Sequence, residues 1–309
     1  MAFKIINRTQ TISIIQAKVV FVQNLKVFDI MESIKLLQEV RAMKKLTFLG
    51  LGSIFLLAGI SKAGPLIDFE VSIGAIQQKP SGYVSYKPAS DITDRIDLKN
   101  DARFGDKTQP WAKFKLEHPI PVIPNIKLAY MPMKFDGSGN VTRTIKWGDY
   151  RYDLNAGFNL SVKLDRVDTT LYYNLPFIKT ATAGKLDIEF GLNVRTIMFE
   201  GKLSGTERDT GRSISESASI TLPVPMGHLA AEIRPINLVS LIGELNYIGY
   251  KNNAYYDYVA GLRLNPPMRT PLKPFAEVGY RHEKLKIDEE GVKTDLKVKG
   301  LYALVGVRF

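Results

Sequence analysis

Residues 295–309 read DLKVKGLYALVGVRF, and the two registers of this stretch differ. Counting back from Phe309, one register holds Val307, Val305, Ala303 and Leu301, and the other holds Arg308, Gly306, Leu304, Tyr302 and Gly300. Strand side chains point alternately to opposite faces, so a period of two predicts a β-strand with one face suited to an apolar surrounding.

The same alternation recurs outward from this stretch through the region 64–309, in segments of about ten residues. Ten strands can be drawn. The first, Leu66–Ile76, opposes Phe69, Val71, Ile73 and Ala75 to Glu70, Ser72 and Gly74. A polar stretch over 77–109 leads to Trp111–His118, with Ala112, Phe114 and Leu116 against Lys113, Lys115 and Glu117. A PIPVIP turn at 119–124 cannot continue a ladder, because proline lacks the N–H, and the third strand starts at Asn125. Between Phe135 and Asp168 two readings compete: a hairpin extending the third and fourth strands, with a turn at 137–140, or two more membrane strands. The remaining strands are Asp168–Leu175, Leu186–Met198, one ending near Arg234, Val239–Tyr250, Tyr255–Leu264, Phe275–Glu283 and the terminal one.

Composition sets the frame. Mean hydropathy is −0.06, which excludes a helix bundle in lipid but not a barrel, whose polar lumen dilutes the average. Zero cysteines remove disulfides, thiolate metal sites and cysteine nucleophiles. The longest apolar run, Leu46–Ile60, follows Met43-Lys44-Lys45 and precedes Ser61-Lys62-Ala63, the pattern of a secretory signal cleaved after Ala63. Residues 1–42 are then an over-extended start, 43–63 the signal and 64–309 the mature protein; the alternative is a genuine extension that makes the run a signal anchor. Removing 1–63 leaves 33 basic against 28 acidic side chains, so the formal charge falls from +11 to +5 and gives little reason to expect a nucleic-acid partner.

A soluble sandwich alternates as well, with its apolar face inside and its polar face in water, so period alone does not choose. The signal, the terminal aromatic, and rings near strand ends (Trp111, Tyr130, Tyr173, Tyr250, Tyr255, Tyr256 and Tyr280) favour an all-β, closed antiparallel transmembrane β-barrel of about ten strands, eight or twelve being alternatives. Closure turns one register inward. That register carries Glu70, Lys113, Lys115, Glu117, Lys127, Glu189, Arg195, Glu232, Arg234, Glu244, Asp257, Arg263, Glu277, Arg281 and Arg308. A lumen barely wider than its own side chains would pair these charges, which predicts a salt-bridged interior more than a pore.

The signal, the alternating strands, the short Pro/Asn turns, the long opposite loops and Phe309 together resemble a small Gram-negative outer-membrane β-barrel protein. Within that class, DTTLYY at 168–173 and LDI at 186–188 resemble an uncharacterised family with no assigned activity. The resemblance implies residence in the outer membrane as a monomer, in contact with its lipids and lipopolysaccharide. It also implies that the assembly machinery recognises the face formed by Leu301, Ala303, Val305, Val307 and Phe309.

Catalytic patterns are sparse. The lipid hydrolases of this class resemble one another in placing a serine two residues after a histidine, whereas His118, His228 and His282 are followed at that spacing by Ile120, Ala230 and Lys284. An Asp–His pair of the omptin-like proteases would need His282 with Glu283, Asp257 or Asp288, yet parity turns His282 outward. No glycine-rich phosphate loop or HExxH is present, so no cofactor is expected. Asp91, Asp94, Asp97, Asp101 and Asp106 could hold Ca²⁺, but interleaved Arg95, Lys99 and Arg103 favour a solvated loop. Lys284, Lys286, Lys297 and Lys299 could contact lipopolysaccharide phosphates. The expected role is a non-catalytic envelope scaffold or surface protein; the alternatives are a narrow solute or ion channel and a rim-located hydrolase.

Overall fold

The structure is a computed structural model that describes residues 67–309, apart from 87–93, 141–143, 148, 251–252, 269 and 290–291. The readings of 1–42 as an over-extended start and 43–63 as a signal fall outside the described residues, as does Asp91.

Alternation becomes strand in this order. β1 (Asp68–Tyr86), β2 (Ile96–Asp97), β3 (Lys107–Glu117), β4 (Asn125–Met131), β5 (Lys134–Gly139), β6 (Thr144–Trp147) and β7 (Tyr150–Asn174) lead to the short helix α1 (Ile178–Ala181). Then come β8 (Leu186–Glu207), β9 (Ser213–Ile236), β10 (Val239–Tyr250), β11 (Asn253–Leu264), β12 (Lys273–Glu289) and β13 (Val292–Arg308).

The sheet runs β13-β12-β11-β10-β9-β8-β7-β4-β3-β1 and closes through a β1–β13 pairing, with every pair antiparallel. β5 and β6 pair with β7 beyond the end of β4, and β2 pairs with β1, so these short strands add nothing to the ring. The wall therefore has ten strands, and the segment 135–168 extends the hairpin rather than crossing again. At the seam Glu70 stands opposite Arg308 and Ile73 opposite Val305, and the Phe309 N–H donates to the Phe69 carbonyl at 2.8 Å. Closure leaves neither β1 nor β13 as an open edge of the ring.

Short turns at 119–124, 237–238 and 265–272 gather at one end, with α1 and both ends of the ring. The long connections lie at the other end, where several strands run well past the alternating segments. β1 continues to Tyr86, β7 begins at Tyr150 rather than near Asp168, and β8 continues from Met198 to Glu207. The reason is a change of phase in polarity, not a break in the ladder. In β8 the inward register passes from Glu189, Asn193 and Arg195 to Ile197, Phe199 and Leu203, while the outward register passes from Phe190 and Leu192 to Glu200 and Lys202. A reading that follows one apolar face stops where that face turns polar.

Candidate functional site

The same reversal occurs around the ring. In the half near the short turns the outside is apolar and open: Ile73, Leu192, Val278, Val305 and Leu301 point out, Leu301 with 65% of its surface exposed. The inside of that half is charged. In the far half the outside carries Lys79, Asp165, Lys163, Glu200 and Lys299, and the inside carries Phe158, Leu160, Val162 and Leu164. Water would be a poor solvent for the first exterior and a good one for the second, so lipid surrounds the first half alone. The protein is an integral outer-membrane β-barrel. Short turns face the periplasm and long connections the cell exterior, following the general asymmetry of such barrels.

Inside the lipid-embedded half, opposite charges meet in three clusters. In the first, Arg263 makes two bonds to Glu70, both at 2.9 Å, and two to Glu277, at 2.9 and 2.8 Å. Arg308 joins Glu70 at 2.6 Å, Arg234 joins Glu232 at 2.7 Å, and the Tyr302 hydroxyl donates to Glu277 at 2.8 Å. Across the lumen the second cluster centres on Glu189, which receives Lys115 at 2.6 Å and Lys127 at 2.7 Å; Lys115 also reaches Glu117 at 2.8 Å, and Lys127 reaches Glu244 at 3.6 Å. Lys113 lies over the Trp111 ring, 3.9 Å from its centroid. Further out, the third cluster pairs Arg195 with Asp168 at 2.6 Å and with Asp257, Arg281 with Asp257, and Arg166 with Glu283, which also accepts from the Tyr255 hydroxyl. Each cluster sets three cations against three carboxylates. Such balance matters, because a buried charge without a partner costs several kcal/mol.

Only small spaces separate the clusters. A cavity of about 50 Å³ lies between the first two, lined by Glu70, Lys113, Lys127, Glu189, Glu244 and Arg263, and one of about 20 Å³ touches Asn193, Asp257 and Arg281. Each holds a few waters at most. A wider vestibule of about 220 Å³ opens at the periplasmic mouth between Lys179, Asp187, Arg234 and Lys273.

Above the third cluster the lumen is closed by hydrocarbon. Residues 94–106 turn inward and bury Ile96, Leu98, Ala102 and Phe104 against Met133, Phe135, Leu160, Val162, Leu203 and Leu296. Phe104 stacks on Phe135 with centroids 6.0 Å apart. The loop is thus a cap, which corrects its reading as a solvated excursion. Its aspartates serve the turn: the Lys99 and Asn100 N–H groups donate to Asp97 at 2.9 and 2.6 Å, the Asp97 N–H to Asp101 at 2.9 Å, and the Lys146 N–H to Asp94 at 3.0 Å. Gly137 and Gly139, read from sequence as a turn, lie in β5 because the cap crosses them. A Cβ on Gly137 would fall 2.0 Å from the Ala102 carbonyl oxygen, and one on Gly139 1.9 Å from that of Asp101.

All fourteen lumen charges named from sequence together with Lys127 occupy the inward register, as do Arg166, Asp168 and Glu283, which sequence reading left out. Continuing the parity of the fourth strand upward by two residues would have found Arg166. Trp111 and Tyr255, read as interfacial rings, instead point inward and are buried. Leu301, Ala303, Val305 and Val307 line the outward face of β13, and the exposed Phe309 follows its end. The three histidines are apart. His118 bonds the Pro124 carbonyl in a periplasmic turn at 3.2 Å, His228 bonds Asn246 inside the lumen at 2.8 Å, and His282 stacks outward on Tyr258, away from Glu283 and Asp257. Among the described residues no group of three potential ligands is placed to hold a metal ion, and no helix is long and apolar enough to cross a membrane.

No protein-family profile and no curated protein matches the chain. Among solved structures the barrel is similar to the outer membrane protease OmpT from Escherichia coli, with 10% identity, a TM-score of 0.43, and coverage of 80% of this chain and 97% of that one. It is similar to the translocator domain of the autotransporter NalP from Neisseria meningitidis, with 13% identity, a TM-score of 0.37, and coverage of 87% and 97%. The CymD monoaromatic hydrocarbon channel follows at 10% identity and a TM-score of 0.33, covering 80% and 70%. Likeness this distant transfers no activity; the barrel and its lipid-facing half rest on this chain's own strands.

Proposed function

We propose that the protein is a non-conducting outer-membrane scaffold that displays its far half at the cell surface, its lumen serving as a structural core. One observation carries this reading: two balanced ion-pair clusters face each other across the lumen, a third lies further out and an apolar cap beyond it, with spaces of only about 50 and 20 Å³ between the clusters. A hydrated ion needs a continuous wet path, and hydrocarbon packed around Leu98 and Phe104 offers none. The scaffold reading assigns no catalytic role, in keeping with three histidines on three different surfaces. Purified barrel in planar bilayers should leave the membrane at background conductance. Stable unitary steps, abolished by omitting the protein, would replace the scaffold with the channel.

A further inference from the structure

The far rim is asymmetric in charge. On the β5–β7–β8 side three outward lysines, Lys134, Lys163 and Lys202, stand among three outward carboxylates: Lys134 faces Lys163 across the ladder, but Lys163 lies 3.5 Å from Asp165 and 3.3 Å from Glu200, and Lys134 lies 3.7 Å from Asp136. On the β12–β13–β1 side, from the step just above the apolar belt, five outward lysines, Lys79, Lys284, Lys286, Lys297 and Lys299, have only two carboxylates in ion-pair reach among the described residues. Lys79 stands directly opposite Lys299 across the seam, and Lys284 directly opposite Lys297. Like charges in register across a ladder destabilise the pair. Two carboxylates offset them in part, Asp106 at 3.5 Å from Lys79 and Asp295 at 3.5 Å from Lys284 and 3.8 Å from Lys297. Lys299 and Lys286 have no carboxylate within ion-pair reach among the described residues.

We propose that Lys79, Lys284, Lys297 and Lys299 bind the phosphate groups of an acylated, multiply phosphorylated glycolipid in the outer leaflet. The site faces outward, so its ligand lies in the bilayer plane and not in the lumen. Immediately below it the belt exposes Leu301, Val305, Val278 and Ile73, at 65%, 60%, 56% and 52%, which supplies an apolar surface for acyl chains. The patch crosses three neighbouring strands, about 10 Å, more than one phosphate covers, which selects a headgroup with two. An anion seated between Lys79 and Lys299, and another between Lys284 and Lys297, would convert both repulsive pairs into charge-assisted hydrogen bonds.

The test uses the full barrel chain in detergent, with bound lipid counted by native mass spectrometry. The probes are bisphosphorylated lipid A, the same glycolipid dephosphorylated, and inorganic phosphate as competitor. The parent should retain one bisphosphorylated lipid. The K79Q/K284Q/K297Q/K299Q variant should bind it more than about tenfold more weakly, given the attraction of each lysine near an anionic surface. The all-arginine counterpart should keep binding, and K163Q/K202Q on the opposite wall should match the parent. Retained heat-dependent gel mobility identifies variants that have folded. Equal binding by the glutamine variant, equal binding of the dephosphorylated lipid, equal weakening in the K163Q/K202Q control, or displacement by millimolar phosphate alone would each overturn the site.

Discussion

Replacing Arg263 by methionine, which has a comparable length and no charge, tests whether the lumen is a structural core. Arg263 is 8% exposed and forms four charge-assisted bonds of 2.8–2.9 Å to Glu70 and Glu277. Its loss affects the two carboxylates unequally. Glu70 keeps Arg308, at 3.0 and 2.6 Å, whereas Glu277, 1% exposed, keeps only the Tyr302 hydroxyl at 2.8 Å. Removing one partner of a buried pair costs about 3–5 kcal/mol, and Glu277 puts this site within that range. Neutralising the stranded group should recover part of it, so the R263M/E277Q double variant should exceed R263M by about 1–2 kcal/mol. Urea unfolding from lipid vesicles would report the loss. Trp111, whose ring centroid lies 5.1 Å from that of Tyr302, provides the fluorescence signal from beside the cluster. An R263M barrel within about 1 kcal/mol of the parent, or a double variant no better than the single, would refute pairing as the cohesive force. A stable R263M barrel with new cation-selective steps would mean that the lumen is wet.

Three further outcomes follow. Gly139→Val would place its Cβ 1.9 Å from the Asp101 carbonyl oxygen, so the cap should lift and proteolysis within 94–106 should accelerate while the ring survives; unchanged protection would mean that the cap does not rest on β5. Val305→Arg puts a cation on an outward position that is 60% exposed, and should destabilise the inserted barrel by about 2–4 kcal/mol if lipid lies there, read from the same urea titration. No effect would argue for water on that face. Deleting Phe309 removes an exposed ring and the Phe309–Phe69 backbone bonds at the seam, at 2.8 and 3.4 Å, and should lower the yield of assembled protein in membrane fractions. Wild-type assembly of the truncated chain would remove β13's terminus from the insertion step.

The ring itself was legible because an antiparallel strand between lipid and a charged lumen writes its two faces in alternate residues. Leu301, Ala303, Val305 and Val307 against Arg308 and Tyr302 show the pattern, and the ten-strand count follows from its repetition. Charged positions such as Glu70, Arg195 and Arg263 fell in the inward register by parity alone. Legibility ended where the outer solvent changed. Beyond Met198 in β8 and before Asp168 in β7 water replaces lipid outside, the faces exchange polarity, and continuous strands read as loop or as separate segments.

Alternation, a local property of neighbouring residues, was enough in the sequence to determine a strand repeat with one apolar and one charged register. Which strand faces which across the lumen is not local, and only the tertiary structure decided that Arg263 joins Glu70, 193 positions away, or that Arg166 joins Glu283, 117 positions away. The cap depends on the same kind of information. Ile96, Leu98, Ala102 and Phe104 lie in a stretch dominated by aspartate and basic residues, and nothing nearby in the chain marks them as buried. They are buried because closure of the ring leaves an apolar well above the third cluster, and residues 96–104 fill it.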